Sequence, residues 1–519
     1  MKNIIELSGL DLTVIAIYIV LLVVIAVWAS YGQKNKSGNL FLADKSLGWF
    51  AIGLTMWGTN VGPSMLIANA SSGFESGIVA GNFSWYAFPF ICLLAFVFAP
   101  RYLGANVMTL PEFMGKRFGE ITRKYIAWYS IITILISWLG LTLFSGGVFM
   151  AQILDYPLWA CIVFLVVVSA AFTMAGGLKT IAYTNVYQML LLIGVSVLLA
   201  VMSIVKVGGV SAVIEQTPVT YWNLFQPLSD ADFPWLAILL GYPVMGVWFW
   251  CTDQSMVQSV LGAKNLKQGQ LGANFCAWLK VIDIPLFIVP GILCFLLIPN
   301  LSNSTDSYLQ LVKTVFPPGL IGLVVVIMSA ALISTIASAL NSLSTVFTMD
   351  IYLKNAGGEI SNEKIKRIGR YVVLMGAVLS VFLAISITWI QGLSFFNIFQ
   401  SVLGFLAPPM TAAFLFAVFW KKTAEKAIHL TLTLGTVFSI GMGILYYTGL
   451  IFSNLHFLYL SFMIFVALAI FIFIFSLMKN GKLASGYTLE YKPVKLNKKV
   501  LSVWITLIII MIGLYVFFN

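Results

Sequence analysis

The chain has 519 residues, of which 60% are hydrophobic and only 9% charged, with a mean hydropathy of +0.99. A soluble domain carries roughly 25% charged residues, so the composition excludes a soluble globule and indicates a polytopic membrane protein. The net charge of +11 does not indicate nucleic-acid binding, because the basic residues sit in loops between apolar runs and form no basic face.

An apolar run of about 20 residues crosses a bilayer as a helix. That criterion predicts fourteen helices, near 11–31, 47–70, 78–100, 125–152, 157–175, 182–206, 235–258, 272–298, 318–350, 366–389, 393–419, 427–449, 455–478 and 500–518. The first run follows Glu6 and includes Asp11, and it is too long for the core of a signal peptide, so it is predicted as a retained helix. With this count, nearly all of the 29 lysines and arginines fall on one side of the membrane. The exceptions are Lys2, Lys206 and Lys313 on the other side and Lys280 inside a helix. The positive-inside rule then places the chain in a cell membrane, plasma or inner, with both termini outside. Cys92, Cys161, Cys251, Cys276 and Cys294 lie in apolar segments without metal-ligand spacing, and read as small packing residues. No loop is large enough for a soluble domain, so 1–519 reads as one membrane domain.

The second helix is interrupted at Trp57-Gly58-Thr59-Asn60-Val61-Gly62-Pro63-Ser64-Met65. Gly62 costs backbone entropy in a helix and Pro63 has no N–H to donate, so the helix breaks there. A break in hydrocarbon is tolerated where protein or a cavity covers it, and its freed carbonyls are hard oxygen ligands for a small cation. A kink that only shapes packing is the simpler alternative. Helix seven carries a similar disruption, with Gly241, Pro243 and Gly246 before Trp248-Phe249-Trp250. After the leading helix 11–31, five helices (47–206) are followed by five more (235–419), with three peripheral helices in 427–518. An odd number of spans inverts the second unit, so the all-α fold is expected to be a LeuT-like 5+5 inverted repeat with broken first helices.

Helix nine contains Met328-Ser329-Ala330-Ala331-Leu332-Ile333-Ser334-Thr335, followed by Ser338, Ser342 and Ser344. The last three serines read as a small-residue helix interface. Ser334 and Thr335 are different: with the Ala331 carbonyl they complete a shell begun by the carbonyls of Gly58 and Val61. Five neutral oxygens without a carboxylate suit a monovalent cation of sodium size.

Several motifs carry a family resemblance. Ala331-x-x-Ser334-Thr335, the Ser344-to-Tyr352 tail, Pro111-Glu112-Phe113 with Lys116-Arg117-Phe118, Ala175-Gly176-Gly177-Leu178-Lys179, and Trp250-Cys251-Thr252-Asp253-Gln254 together resemble the sodium/solute symporter family. The last of these, with Val257-Gln258, Gln400-Ser401 and Pro408-Pro409, is similar to its sodium/glucose cotransporter branch. The resemblance implies Na+ at Gly58, Val61, Ala331, Ser334 and Thr335. It also implies a substrate site at Asn60, Met65, Ser84, Trp250, Lys280 and Gln400, with gates at Phe83, Phe249 and Phe396. Three positions depart from the branch: Met65 replaces a glutamine or histidine, Ser84 a glutamate, and Gly246 can be polar elsewhere. Family members that bind two sodium ions have aspartate where Asn185 stands.

Lys280 and Asp283 are spaced to pair on one helix, and Asp253 is placed to organise a gate. His429 and His456 lie near helix ends and make no proton relay. No nucleophile, acid–base pair or metal cluster marks an enzyme. The expected function is sodium-coupled symport of a small organic solute by alternating access, with no arginine in a core helix to hold a carboxylate. A neutral sugar or sugar-like polyol is favoured over sialic acid, an amino acid or another organic anion. A sensor or channel on the same fold is a further alternative. The partners are therefore the solute, the sodium ion and the lipid bilayer, without nucleic acid, and the sequence leaves the oligomeric state open.

Overall fold

The computed structural model describes residues 7–31, 43–154, 156–356, 360–387, 395–452, 454–478 and 497–519, and every named element in them is helical. Much of two basic connectors, 32–42 and 479–496, lies outside the described residues. In chain order the elements that position the site are α1 (Gly9–Tyr31), α2 (Trp49–Asn60), α3 (Pro63–Ser76), α4 (82–104), α5 (110–154) and α6 (Leu158–Val207). They continue with α7 (Trp235–Val247), α8 (Gln254–Leu261), α9 (Leu266–Val281), α10 (Ile284–Leu297), α11 (Leu320–Val346) and α12 (Asn362–Ile387). The chain ends with α13 (Phe395–Phe419), α14 (Glu425–Tyr447), α15 (Phe457–Met478) and α16 (Lys498–Phe517).

Among the described residues, ten helices are long and apolar enough to cross a bilayer, or eleven if the pair α9 and α10, bent by 43°, counts as one. The fourteen segments expected from sequence are reached only by also adding the shorter Leu403–Phe419 and dividing two long helices, α6 among them. The division of α6 has a physical basis, because Gly177 sits at φ +55° and ψ −150°, a conformation that interrupts a helix and suits a residue without Cβ. Gly119, at φ +85°, similarly sets a short arm of α5 apart from its long apolar part. That arm carries the Pro111-Glu112-Phe113 motif and opens on a cap in which the Thr109 hydroxyl accepts from the Glu112 N–H at 3.2 Å.

Small residues let the central helices approach closely. A Cβ on Gly272 of α9 would lie 2.6 Å from the Ile52 side chain of α2, and one on Gly291 of α10 would lie 1.9 Å from the Ala70 carbonyl of α3. Through such contacts α2 packs against α9, α6 and α11 at once. The segment that breaks therefore sits at the centre of the molecule, with Trp57, Gly58, Thr59 and Val61 all buried.

The disruption of helix seven is real but lies further along than expected. α7 runs through Gly241, Pro243 and Gly246 and continues as a wide turn over Trp248–Thr252. The Pro243 ring leaves the Leu239 carbonyl without its helical donor, and the Tyr86 hydroxyl reaches that oxygen at 3.4 Å. The two glycines serve packing, Gly241 against Leu458 and Gly246 against the Phe90 ring. The chain instead turns at Asp253 (φ −85°, ψ 128°), whose carboxylate accepts from the N–H groups of Ser255 and Met256 at 2.9 and 3.2 Å and so opens α8.

Candidate functional site

The α2–α3 break occupies Val61 and Gly62. In a continuous helix the Gly62 N–H would bond the Gly58 carbonyl; here it donates to Asn60 O at 3.2 Å, closing a tight turn around Val61. Met65 N–H likewise donates to Gly62 O at 2.9 Å and not to Val61 O, while Pro63 has no N–H for Thr59 O. The break thus releases the Gly58 and Val61 carbonyls from the helical ladder. Gly58 also lacks a side chain for a spatial reason, since a Cβ there would meet the Met189 sulfur of α6 at 2.8 Å.

α11 faces this break with Thr335. Its hydroxyl donates to the Ala331 carbonyl at 3.0 Å and lies 3.5 Å from the Gly58 carbonyl, so one side chain spans the two helices. Gly62 adjoins the same hydroxyl, at 3.9 Å from the Cβ it would carry. Gly58, Ala331 and Thr335 are therefore brought together. Ser334, the next residue back, donates to the Asn185 side-chain oxygen on α6. The Asn185 amide nitrogen has no partner among the described residues. Ser338 Oγ lies 3.4 Å from the Thr59 hydroxyl and Ser344 donates to the Gly369 carbonyl at 2.8 Å, so both serines sit at helix–helix contacts, as the small-residue interface expected of them requires.

The other side of the α2 segment carries charge. Lys280 of α9 is 1% exposed and donates to Asp283, to Asn60 Oδ1 at 2.7 Å and to Ser84 Oγ at 3.4 Å. Those three acceptors match the three donors of an ammonium group. Asp283 in turn accepts from Trp57 Nε1 at 2.8 Å. The expected pairing of Lys280 with Asp283 is present, fully buried and hydrogen-bonded on both partners.

Beside this pair lies a cavity of about 160 Å³, bounded by the α2–α3 break, α5, α7 and Lys280. Its walls include Asn60, Met65, Phe83, Phe249, Trp250 and Lys280, six of the expected substrate and gate residues. Ser84 is not on the wall: it is 1% exposed, packed behind Lys280 as its hydrogen-bond acceptor. The side chains of Phe396 and Gln400, on α13, lie outside the described residues. On the wall Phe83 packs edge-on against Tyr242 at 5.4 Å, and the Tyr242 hydroxyl donates to Phe83 O at 2.6 Å. Phe249, also on the wall, lies between Trp138 at 5.3 Å and Trp250 at 5.1 Å. Trp138 is held there by Nε1 donating to the Asp253 carboxylate at 3.1 Å, so the residue that caps α8 also fixes this aromatic stack.

The chain thus carries a broken helix whose freed Gly58 carbonyl faces the Thr335 hydroxyl, next to a cavity. Residues 40–435 match the sequence profile of the Sodium:solute symporter family. The chain is a sodium:solute symporter. This symporter is 30% identical to sodium/glucose cotransporter 1 of Oryctolagus cuniculus, over 91% of its own length and 79% of that relative. It is 31% identical to sodium/glucose cotransporter 4 of Homo sapiens, over 85% and 69% of the two chains. Its fold is similar to that of a Na+-coupled sialic acid symporter in a substrate-bound outward-open state, with a TM-score of 0.79, 20% identity and coverage of 91% and 98%. The symporter is thus a multi-pass, LeuT-fold membrane protein that couples solute movement to sodium, and it is not an enzyme.

The wall residues of the symporter's cavity that escaped the sequence reading include Trp138, Tyr242 and Asn69. Trp138 had a weak signal, as an indole among apolar residues of α5 whose N–H needs a buried acceptor. Tyr242 sits in an apolar helix and Asn69 among other small polar residues of α3, with nothing in their local spacing to set them apart. Asp253, expected to organise a gate, caps the start of α8 and accepts from Trp138.

Proposed function

We propose that this symporter imports a neutral sugar or sugar-like polyol, with sodium held at the carbonyls of Gly58, Val61 and Ala331 and the hydroxyls of Ser334 and Thr335. The observation that carries the solute's neutrality is the closed charge pair: Lys280 is the cation on the cavity wall, and Asp283 already balances it. A carboxylate entering the cavity would compete with Asp283 for an ammonium whose donors are committed. Phe83, Phe249 and Trp250 provide apolar faces for a ring, and the named activity of the sodium/glucose cotransporters supports the same class.

Coupling follows from the position of the break. Sodium between α2 and α11 favours the arrangement in which those helices lie against each other, and it shifts the equilibrium only by its differential affinity for that arrangement. The same short segment carries Asn60 into the cavity wall, so ordering the break for sodium orders it for solute. In this reading 47–206 and 235–419 are the two inverted repeats, the protein crosses the plasma or inner membrane fourteen times, and both termini face outward.

The runner-up is an organic anion, supported by the fold shared with a sialic acid symporter. Competition separates the two in proteoliposomes with an inward sodium gradient. Neutral sugars are expected to displace a transported tracer, while sialate and amino acids do not. Displacement by sialate or an amino acid at micromolar concentration, with no neutral sugar effective, overturns the proposal.

A further inference from the structure

We infer that Asn69 of α3 is a specificity-determining residue of the solute cavity: its side-chain amide receives an adjacent donor–acceptor pair, such as a vicinal diol, on a neutral ring-shaped solute. The inference rests on the neutral-solute reading above and names where that solute is recognised. It starts from four polar groups on the wall whose hydrogen-bonding atoms are already engaged; the hydroxyl residues Ser72, Thr142 and Thr335 also line it. Lys280 has spent its donors, Asn60 Oδ1 accepts from Lys280, Thr59 donates to Thr55 O at 2.8 Å, and Tyr242 donates to Phe83 O.

Asn69 is the contrast. It is 8% exposed and lines the cavity, and its amide nitrogen has no hydrogen-bond partner among the described residues. An unpartnered buried amide costs about 1–3 kcal/mol, a cost that a solute oxygen within its reach would offset. Asn69 stands one helical turn beyond Met65 on the same face of α3. Met65 is the position where a hydrogen-bonding side chain was expected and a thioether is found. Polar recognition has moved one turn along α3. An amide offers both N–H and C=O to a solute that presents a hydroxyl pair, and the neighbouring Met65 and Ala68 leave room for a methyl or methylene where a fully hydroxylated sugar has oxygen.

The test is sodium-driven uptake into proteoliposomes of D-glucose, D-galactose, D-mannose, D-fructose and myo-inositol, followed by singly deoxygenated forms of whichever is taken up. Wild type is expected to discriminate against one or two adjacent deoxy positions. Asn69→Ala is expected to raise KM for the parent about 10-fold and to erase that discrimination at those positions alone, as loss of one or two neutral hydrogen bonds predicts. Asn69→Leu is expected to melt no lower than wild type without solute, because it removes an unpartnered amide. Three outcomes overturn the inference. Absence of uptake of every neutral sugar by wild type overturns it together with the proposed function. Uptake with unchanged KM and unchanged discrimination in Asn69→Ala overturns it alone. A lowered melting temperature in both variants, with selectivity lost evenly at all positions, assigns Asn69 a purely structural role.

Discussion

One turn of helix, Trp57 to Val61, borders two polar sites built in opposite ways. Towards α11 it offers carbonyls freed by the break, met by the Thr335 hydroxyl, and no formal charge. Towards α9 it offers Trp57 and Asn60 to a full ion pair, Lys280 with Asp283. The uncharged side carries no counter-charge of its own and, in the proposed reading, takes a cation, whereas the charged side has settled its own. Charge on a cavity wall is therefore a poor guide to the charge of what enters; the useful question is whether each charge still lacks a partner.

The largest expected effect comes from unbalancing the charged side. Asp283→Leu leaves Lys280 buried without its counter-charge and is expected to cost about 3–5 kcal/mol of stability, read as a strong fall in melting temperature and surface abundance. Adding Lys280→Met to the same chain is expected to recover most of that loss. If Asp283→Leu melts as wild type does, the pair is not the closed unit described here.

On the uncharged side, Thr335→Ala removes the hydroxyl that spans α2 and α11. Charge-assisted contacts are worth about 1.5–3 kcal/mol, so the sodium concentration for half-maximal uptake should rise by about 10- to 100-fold, with the protein still folded. Ser334→Ala should move it in the same direction. Wild-type sodium dependence in both variants would place the ion elsewhere.

A smaller effect is expected where the cavity floor is anchored. Asp253→Ala deletes the cap of α8 and the partner of Trp138, a loss of about 0.5–2 kcal/mol from the cap, whereas Asp253→Asn keeps an accepting oxygen and most of the stability. Indole fluorescence quenching by an aqueous quencher should increase in the alanine variant as Trp138 is released. The smallest change is at Asn185, whose oxygen accepts from Ser334 while its nitrogen has no partner among the described residues. Asn185→Asp supplies a charge for a second cation, so the sodium dependence should steepen towards a Hill coefficient of about two with little change in solute KM. An unchanged slope would show that a carboxylate there is not sufficient.

The sequence made the first break legible and misplaced the second, for one physical reason. At Gly62-Pro63 the lost N–H has no substitute nearby, so the local signal and the outcome agree. At Pro243 the Tyr86 hydroxyl answers the orphaned carbonyl, and the glycines fit neighbouring side chains, so α7 passes through and turns at Asp253. The Lys280–Asp283 pair was visible because it is local, three residues apart on one strand of sequence. Ser84 was assigned to substrate because its position was readable and its depth was not: it stands behind the lysine. Trp138, Tyr242 and Asn69 come together only through packing of α3, α5 and α7, which spacing along the chain does not encode.

The central claim, an uncharged sodium site beside a self-neutralised solute site, is tested most directly by the charge moved per solute. Current and tracer flux measured together in proteoliposomes should give one elementary charge per solute, the value for one sodium carried with a neutral molecule. A ratio of zero would mean that the solute itself brings a negative charge, and it would contradict the account; a ratio of two would contradict the single sodium site.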